Sequence, residues 1–364
     1  MRAAVLNHQP GALDIEDLRI DDPAAGEVLV RTVGAGLCHS DLHFMEGIFP
    51  LKVPAVLGHE SAGVVEAVGE GVQHVAPGDH VVCCLSIFCG ACRQCLGGFP
   101  NRCVNPAATT RAKTDPSRLT RDDGTAVVQF ARLGGFAEMM LVHENAVVKI
   151  TTDIALDKAA LIGCGVLTGS GAVFRTARVE PGSSVCVIGA GGIGLAAVQA
   201  ARIAGAGMVV VVDVSDTKLE TARLLGATHT VNAAEAESVV KAVKEVTGGG
   251  VDYSFEAIGK KATAEQAFEM LDIGGTATVI GMVPNDTRLE IRAMDLLSEK
   301  RLQGSMMGSN QFRIDIPRLI AMYLDGRLDL DSMVSKTLTL DEVNDGYALM
   351  KRGEVARSVI AFSA

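Results

Sequence analysis

The pattern of apolar positions changes near residue 184. Before it, short apolar runs separated by Pro and Gly, such as residues 3–6 and 27–33, predict the strands of a small β-barrel or sandwich. After it, apolar runs alternate with helical stretches, and six such strands predict a doubly wound parallel sheet. Residues 310–364 hold two more helical stretches and a final strand over 358–362. We expect this last segment to return to the first domain.

A glycine-rich turn follows the apolar run 184–188. Gly189, Gly191 and Gly194 form G-x-G-x-x-G between a predicted strand and an Ala-rich helix, where backbone N–H groups can approach a pyrophosphate. Asp213 ends the next apolar run, about twenty residues further on, as the dinucleotide-binding pattern requires. A carboxylate there can accept hydrogen bonds from ribose hydroxyls and repels a 2′-phosphate. The pattern therefore predicts a dinucleotide site that favours NAD over NADP.

Length and charge narrow the class of protein. A chain of 364 residues is long enough for two domains, and a formal net charge of −10 disfavours nucleic acid and anionic membranes as partners. The first residues lack the long apolar core of a secretory signal, and no apolar run reaches the length of a membrane span. Nine cysteines without a signal peptide are more typical of metal ligands or free thiols than of disulfides. We therefore predict a cytoplasmic protein.

Four cysteines are closely spaced along the chain as C-x2-C-x2-C-x7-C: Cys89, Cys92, Cys95 and Cys103. Four thiolates at this spacing can complete a tetrahedral zinc site without the rest of the fold. An iron–sulfur cluster or two disulfides are the alternatives, although a two-residue spacing strains a disulfide. Because protein fills all four positions, the prediction is a structural zinc. We expect the cysteines outside any metal site to be small apolar filler: Cys83, Cys84 and Cys186.

Three further ligand types, Cys38, His59 and Cys164, lie far apart along the chain. Each of them alone is more often a buried thiol or a core histidine, and spacing does not show that they meet in space. Residues 104–126 are polar without an apolar period and predict a surface loop.

Several motifs in order resemble the zinc-containing medium-chain alcohol dehydrogenases, including class III-like and aryl-alcohol-type members. They are Gly36-Leu37-Cys38-His39-Ser40-Asp41, Gly58-His59-Glu60, the four-cysteine lobe, Gly163-Cys164-Gly165, and residues 189–194 with Asp213. The resemblance runs nearly end to end and implies an α/β protein. It implies a GroES-like β-barrel catalytic domain (1–165 and 306–364, with the structural zinc lobe at 89–103) and a doubly wound parallel-sheet Rossmann NAD-binding domain (166–305).

The resemblance also implies roles for single residues. Cys38, His59 and Cys164 match the Cys2His ligands of the catalytic zinc, whose fourth position stays open. Asp41 matches the acid that orients the zinc-bound histidine, and Glu60 matches a carboxylate near the metal. Ser40 and His43 match a relay that carries the alcohol proton away through the cofactor ribose. The remaining matched positions contact the cofactor. Ile193, Thr168 and Ile280 match residues that pack against the nicotinamide, Lys218 and Arg357 match contacts to the adenosine ribose and the pyrophosphate, and Gly192, Ile258 and Met282 are further cofactor contacts.

Two positions depart from the family pattern. His39 stands where many relatives carry an arginine on the pyrophosphate, which suggests weaker cofactor binding because histidine is neutral over much of the physiological range. Leu85 stands where many relatives place an aromatic residue in the substrate pocket. The smaller side chain suggests room for a bulky or aromatic alcohol.

The function that the resemblance implies is NAD-dependent oxidation of a primary alcohol to its aldehyde, with two zinc ions per chain. A thiol-adduct-linked formaldehyde dehydrogenase, which oxidises S-hydroxymethyl thiols, is the alternative within the fold. A zinc-free NADPH quinone reductase or a non-enzymatic relative would be expected to lack Cys38, His59 and Cys164. The expected partner is a small-molecule alcohol or aldehyde, with no nucleic acid or membrane, and the family suggests a homo-oligomer, either a dimer or a tetramer.

Overall fold

The computed structural model describes residues 1–362. In chain order the strands are β1 (Arg2–Leu6), β2 (Leu13–Asp17), β3 (Arg19–Ile20), β4 (Glu27–Gly36), β5 (Ala55–Val56), β6 (Glu60–Val68), β7 (His80–Cys83), β8 (Leu119–Thr120), β9 (Val128–Gln129), β10 (Met139–His143), β11 (Val147–Lys149), β12 (Ser184–Ile188), β13 (Met208–Asp213), β14 (His229–Asn232), β15 (Val251–Glu256), β16 (Leu271–Val279), β17 (Arg301–Gly304), β18 (Lys336–Leu338) and β19 (Ser358–Ala361). The α-helices are α1 (His39–Met45), α2 (Arg93–Leu96), α3 (Leu156–Ala160), α4 (Gly165–Gly171), α5 (Gly192–Ile203), α6 (Asp216–Leu224), α7 (Val239–Thr247), α8 (Lys261–Glu269), α9 (Ala293–Leu297), α10 (Phe312–Leu324) and α11 (Val343–Lys351).

The chain divides into two compact units. The first contains Met1–Cys164, Gln311–Asp325 and the described residues from Val334 onward, and the second contains Gly165–Asn310 and Gly326–Met333. This division differs from the sequence-based domain bounds at three places, because Gly165 and residues 306–310 and 326–333 belong to the second unit. Hydrogen bonds explain the placement: Asp329 exchanges two with Gln199 of α5, and Ser309 bonds to Thr176.

The first unit is built from two main β-sheets. One has strand order β11-β7-β6-β4-β19-β18 with β10 also paired to β4, and the other has order β2-β1-β5-β9. The last strand, β19, runs antiparallel to β4, with Ile360 opposite Ala35. This pairing joins the last strand to the sheet of the first unit. The polar segment 104–126 is less exposed than a simple surface loop, because β8 pairs with β3 and Leu119 is buried.

The second unit is a six-stranded parallel sheet with order β14-β13-β12-β15-β16-β17. Its central strands are continuous apolar runs because helices cover both faces, so neighbouring side chains on each strand are buried together. The strand order changes direction between β12 and β15, which is where doubly wound sheets bind their ligands. The predicted sheet and its six strands are confirmed.

A membrane span requires a helix of sufficient length and apolarity. Within residues 1–362, no one helix is long and apolar enough to cross a bilayer, and one bent pair, Leu156–Gly163 with Gly165–Ala177, reaches that length and apolarity only when taken together.

Candidate active site

The four-cysteine lobe places its sulfur atoms around a single point. The Sγ atoms of Cys89 and Cys95 are 3.9 Å apart, those of Cys92 and Cys95 3.5 Å, and those of Cys92 and Cys103 4.0 Å. A tetrahedron of sulfurs at a Zn–S distance of about 2.3 Å has edges of about 3.8 Å. A disulfide would need about 2.05 Å, and all nine cysteines are free thiols. The lobe therefore has the chemistry and spacing of a mononuclear zinc site.

Backbone N–H groups support negative charge on these sulfurs. The N–H groups of Ala91 and Cys92 point at Cys89 Sγ at 3.4 and 3.3 Å, and that of Cys89 points at Cys103 Sγ at 3.3 Å. Hydrogen bonds from the backbone of Cys95 and Val104 lower the pKa of Cys92 to about 6, whereas burial raises the pKa of Cys95 to about 12. Thiolates are the form that binds zinc, and the backbone N–H groups favour that form at Cys89 and Cys92.

A second cluster is buried within the first unit. The ligand atoms of Cys38, His59, Glu60 and Cys164 lie within 4.8 Å of one another. Cys38 precedes α1, His59 and Glu60 lie where β6 begins, and Cys164 follows α3. The structure thus brings together the three predicted ligands of the catalytic zinc, although Cys164 lies more than a hundred residues after the other two, and it places Glu60 beside them, as predicted for a carboxylate near the metal.

The donor set of this cluster suits a cation. Hydrogen bonding to Cys164 lowers the pKa of Cys38 well below its ordinary value, and the same contact raises that of Cys164. Burial lowers the pKa of His59, but the negative charges of Asp41 and Cys38 outweigh burial and raise this pKa to about 10. His59 Nε2 is buried without a hydrogen-bond partner, which leaves it available to a metal. Two sulfurs and an imidazole are the donors that zinc prefers, so the residues fit the ion.

Asp41 fixes the orientation of His59. Its Oδ1 lies 3.1 Å from His59 Nδ1 and accepts the N–H of Gly58 at 3.0 Å. Gly58 has φ +86°, and a Cβ there would come within 2.6 Å of Phe136, so this close turn needs glycine. With Nδ1 bonded to the carboxylate, the other ring nitrogen faces the cluster.

Glu60 is paired with Arg357 in a buried ion pair, with side chains 0% and 6% exposed. Arg357 lies just before β19, and the pairing of β19 with β4 brings it to the cluster. A Cβ on Gly36 would collide with Glu60 Oε2 at 2.4 Å and lie 3.2 Å from Arg357 Nη2, so glycine makes room for the pair. Burial lowers the pKa of Arg357, although the nearby Cys38 opposes this. Sequence reasoning assigned Arg357 to the pyrophosphate, and the structure places it against Glu60 and Cys38.

The predicted relay residues lie on α1. Ser40 and His43 are three positions apart on this helix and so share a face. Ser40 Oγ lies 3.6 Å from Cys38 Sγ, and Nδ1 of His43 is buried without a hydrogen-bond partner. His39, in contrast, is exposed at the first turn.

Sequence reasoning missed an arc of aromatic rings beside the cluster. Ring centroids lie 5.7 Å apart for His59 and Phe130, 4.6 Å for Phe130 and Phe44, 5.7 Å for Phe44 and Phe49, and 6.0 Å for Phe49 and His43. We call these five residues the aromatic arc. It links His59, a predicted metal ligand, to His43, a predicted relay residue. No sequence signal connects Phe130 to the other members, because it stands alone in a mixed segment.

The dinucleotide turn in the second unit has the predicted form. Gly189 has φ +99°, Gly191 precedes α5 as its N-cap, and a Cβ on Gly194 would lie 1.7 Å from the carbonyl oxygen of Gly189. Asp213 lies next to the turn: its Oδ2 accepts the N–H of Ala190 at 2.7 Å, and its Oδ1 accepts those of Val214 and Ser215. The carboxylate is thereby fixed at the carboxyl edge of the sheet.

The other predicted cofactor positions lie in the second unit, apart from His39 and Arg357. Ile258 and Met282 are 38% and 39% exposed, and Ile280 follows β16 at the same sheet edge. Thr168 is buried in α4 and bonds to Met307 Sδ, while Ile193 and Lys218 lie in the first turns of α5 and α6. Leu85 is partly buried and packs against the apolar core around Val81, Cys83 and Ile87 in the first unit.

Comparisons with known proteins agree with this geometry. The sequence model described as "Alcohol dehydrogenase GroES-like domain" matches residues 24–152, and the one described as "Zinc-binding dehydrogenase" matches residues 192–323. The chain is 37% identical to S-(hydroxymethyl)glutathione dehydrogenase of Paracoccus denitrificans over 372 residues, which cover 99% of both chains.

Solved structures are similar over the full length. An alcohol dehydrogenase zinc-binding domain protein from Burkholderia ambifaria has a TM-score of 0.95 at 37% identity, covering 100% of this chain and 99% of that one. Benzyl alcohol dehydrogenase from Acinetobacter calcoaceticus has a TM-score of 0.92 at 34% identity, with the same coverage. With two zinc-binding clusters and a dinucleotide turn in place, the chain belongs to the zinc-containing medium-chain alcohol dehydrogenase family.

Proposed function

We propose that the protein is an NAD-dependent dehydrogenase of primary alcohols, and that aromatic alcohols of the benzyl type are its substrates. The family establishes a zinc-dependent oxidoreductase acting on alcohols or aldehydes. The finer proposal concerns the cofactor and the substrate. Asp213 supports NAD, because a fixed carboxylate at the end of β13 repels a 2′-phosphate.

The aromatic arc is the observation that carries the substrate proposal. Phe44 and Phe130 are half-buried and lie between the metal ligand His59 and the relay residue His43. Aromatic pairs contribute about 0.5–1.5 kcal/mol beyond burial of area, so a benzyl ring gains from this surface what ethanol does not. The smaller Leu85 supports the same substrate class, as does the similarity to a benzyl alcohol dehydrogenase.

The residues of the site would have separate roles in the reaction. Cys38, His59 and Cys164 would hold zinc, which acts as a Lewis acid that makes a hydroxyl more acidic. Asp41 keeps the imidazole of His59 in the orientation that presents Nε2. NAD, when bound, supplies the hydride acceptor.

Proton transfer falls to α1. Ser40 Oγ accepts the proton of the alcohol hydroxyl as its own hydroxyl proton is released, and the imidazole of His43 is the final acceptor. Nδ1 of His43 supports this role, because a buried ring nitrogen that has no hydrogen-bond partner among residues 1–362 is available to accept a proton.

A substrate panel tests the proposal. Benzyl alcohol and ethanol are compared with NAD and with NADP, on protein whose zinc content is measured. Phe44→Leu should lower kcat/KM for benzyl alcohol about tenfold and leave that for ethanol within about twofold. Leu85→Phe should also lower kcat/KM for benzyl alcohol more than that for ethanol. Phe99→Leu, an exposed phenylalanine of the cysteine lobe, is the matched control. Equal effects of Phe44→Leu on both alcohols would contradict the aromatic substrate, and a preference for NADP would contradict the cofactor.

Oxidation of S-hydroxymethyl thiol adducts is a second candidate function. It is favoured by the 37% identity to an enzyme named for S-(hydroxymethyl)glutathione. The same panel decides between the two: a kcat/KM for S-hydroxymethylglutathione above that for benzyl alcohol selects the second function.

Two further parts of the proposal are open to simple measurements. A homo-oligomer, dimer or tetramer, would be seen by light scattering. A cytoplasmic location is supported by nine cysteines that form no disulfide, because reducing compartments keep cysteines in this state.

A further inference from the structure

Glu256 is a fully buried carboxylate at the carboxyl edge of the parallel sheet. It is the last residue of β15, and its register partners are Ile188 of β12 on one side and Val279 of β16 on the other. Ile188 leads directly into Gly189 of the dinucleotide turn, and Val279 leads into Ile280. Because the strand order reverses between β12 and β15, Glu256 lies at the point where such sheets bind dinucleotides.

One carboxylate oxygen of Glu256 gathers three donors from the segment that follows. Its Oε1 accepts the backbone N–H of Ile258 at 2.9 Å, that of Gly259 at 2.7 Å, and the hydroxyl of Thr263 at 2.8 Å. These bonds tie residues 257–260 and the start of α8 to the end of β15. The backbone carbonyl of Glu256 in turn accepts the N–H groups of Ile280 at 2.8 Å and Gly281 at 3.0 Å.

The two segments touch backbone to backbone directly above this carboxylate. A Cβ on Gly281 would lie 2.1 Å from the nitrogen of Gly259 and 2.8 Å from Glu256 Oε2, and a Cβ on Gly259 would lie 2.4 Å from the carbonyl oxygen of Met282. Ile258 reaches back to the dinucleotide turn, where its Cγ1 lies 2.6 Å from the position of a Cβ on Gly189. Any movement of residues 257–260 therefore changes the shape of the turn and of the end of β16 together.

We propose that Glu256 is a positioning residue for the dinucleotide cofactor. Its side chain makes no contact with the cofactor. It holds Ile258 and, through the Gly259–Gly281 contact, Ile280 and Met282 in the arrangement that the cofactor binds. This inference rests on the proposed cofactor site, since these three residues are its predicted contacts.

The same strand offers a matched control at its other end. Asp252 is near the start of β15, and its Oδ2 accepts both the N–H and the hydroxyl of Ser184 at 2.7 Å. Like Glu256, it ties its strand to a neighbouring segment through one oxygen. It lies at the amino edge of the sheet, opposite the edge where a doubly wound sheet binds its ligand.

Titration with NADH, followed by its fluorescence, tests the proposal on the full-length zinc-loaded protein. Glu256→Ala should raise the Kd for NADH about tenfold or more, because three donors lose their acceptor and the segment moves. Thr263→Val, which removes one donor, should raise it by about threefold. Glu256→Gln keeps an acceptor oxygen and should restore Kd to within about threefold of the wild type. Asp252→Ala should lower Tm and leave Kd within about twofold.

Steady-state kinetics separate positioning from general damage. In Glu256→Ala, KM for NAD should rise, while KM for the alcohol at saturating NAD and the zinc content should stay unchanged. If Glu256→Ala does not fold, the same result is expected for Thr263→Val. Unaltered NADH affinity in both variants, or an equal loss in Asp252→Ala, overturns the proposal. Wild-type protein that binds no NADH refutes the proposed cofactor instead, so the two failures are distinguishable.

Discussion

The two metal clusters differ in how the chain assembles them. The cysteine lobe takes four ligands from fifteen consecutive positions, 89–103, and its sulfurs are only partly buried. The cluster around His59 takes its ligands from the start of α1, the start of β6 and the segment after α3, and all are buried. The first needs a loop, whereas the second needs the whole barrel. Local metal sites can be recognised from spacing, and distant ones only from the fold.

The surroundings of the clusters differ as well. In the lobe, backbone N–H groups point at the sulfurs, and four thiolates complete the coordination of one ion. Cys38, His59 and Cys164 are surrounded by Asp41, by the Glu60–Arg357 pair and by the phenylalanines of the aromatic arc. The proposed set of three ligands would leave a fourth position for a small molecule. A fully coordinated metal stabilises the fold, whereas a metal with an open position can bind a substrate.

Replacing one ligand of the buried cluster gives the largest expected effect. Cys164→Ser should lower kcat/KM by about three orders of magnitude, because the ion that acidifies the hydroxyl is lost. Zinc content measured by native mass spectrometry should fall from two ions per chain to one. Cys186→Ala, at a buried cysteine of β12 outside both clusters, should keep two ions and the wild-type rate. Full activity in Cys164→Ser would contradict the proposed difference between the two clusters, since the buried cluster would then hold no catalytic ion.

Replacing one ligand of the lobe should act on stability instead. Cys95→Ser should also reduce the zinc content to one, with Tm lower by roughly 10 °C because metal binding there is coupled to folding. Below the new melting temperature, kcat/KM should stay within about threefold of the wild type, because no lobe ligand belongs to the other cluster. A loss of rate without a loss of Tm would show instead that the lobe takes part in the reaction.

The same distinction explains what could be predicted from the sequence. The lobe and the dinucleotide turn are short continuous motifs, and the six strands of the second unit are continuous apolar runs, so all were recognisable. The partnership of Glu60 with Arg357 depends on β19 pairing with β4 across most of the chain, which no local pattern encodes. Phe130 reaches His59 only through the fold. Residues 306–310 and 326–333 belong to the second unit because of long-range contacts such as that of Gln199 with Asp329, which no local pattern encodes either.

The segment that follows the lobe, residues 104–126, also depends on a distant part of the chain, because Glu27 holds it in place. Buried Glu27 accepts hydrogen bonds from Arg111 at 2.6 Å and Arg118 at 2.7 Å. Burial raises the pKa of Glu27, but these arginines outweigh it and lower the pKa below the ordinary value of 4.5. A lowered folded-state pKa means that the ion pairs stabilise the protein above pH 4.5, and that this contribution is lost as pH falls further.

Glu27→Gln should therefore lower Tm by roughly 5 °C at pH 7, since the buried Arg118 loses its counter-ion and the partly buried Arg111 keeps only Asp21. The difference from the wild type should shrink as the buffer is acidified below pH 4.5. Glu66→Gln is the control, because the Arg31–Glu66 pair lies in the same unit with side chains 38% and 40% exposed. Exposed pairs contribute at most about 1 kcal/mol, so its Tm should follow the wild type at every pH. A constant difference for Glu27→Gln across the acid range would mean that the carboxylate's shape, and not its charge, holds the segment beside the lobe.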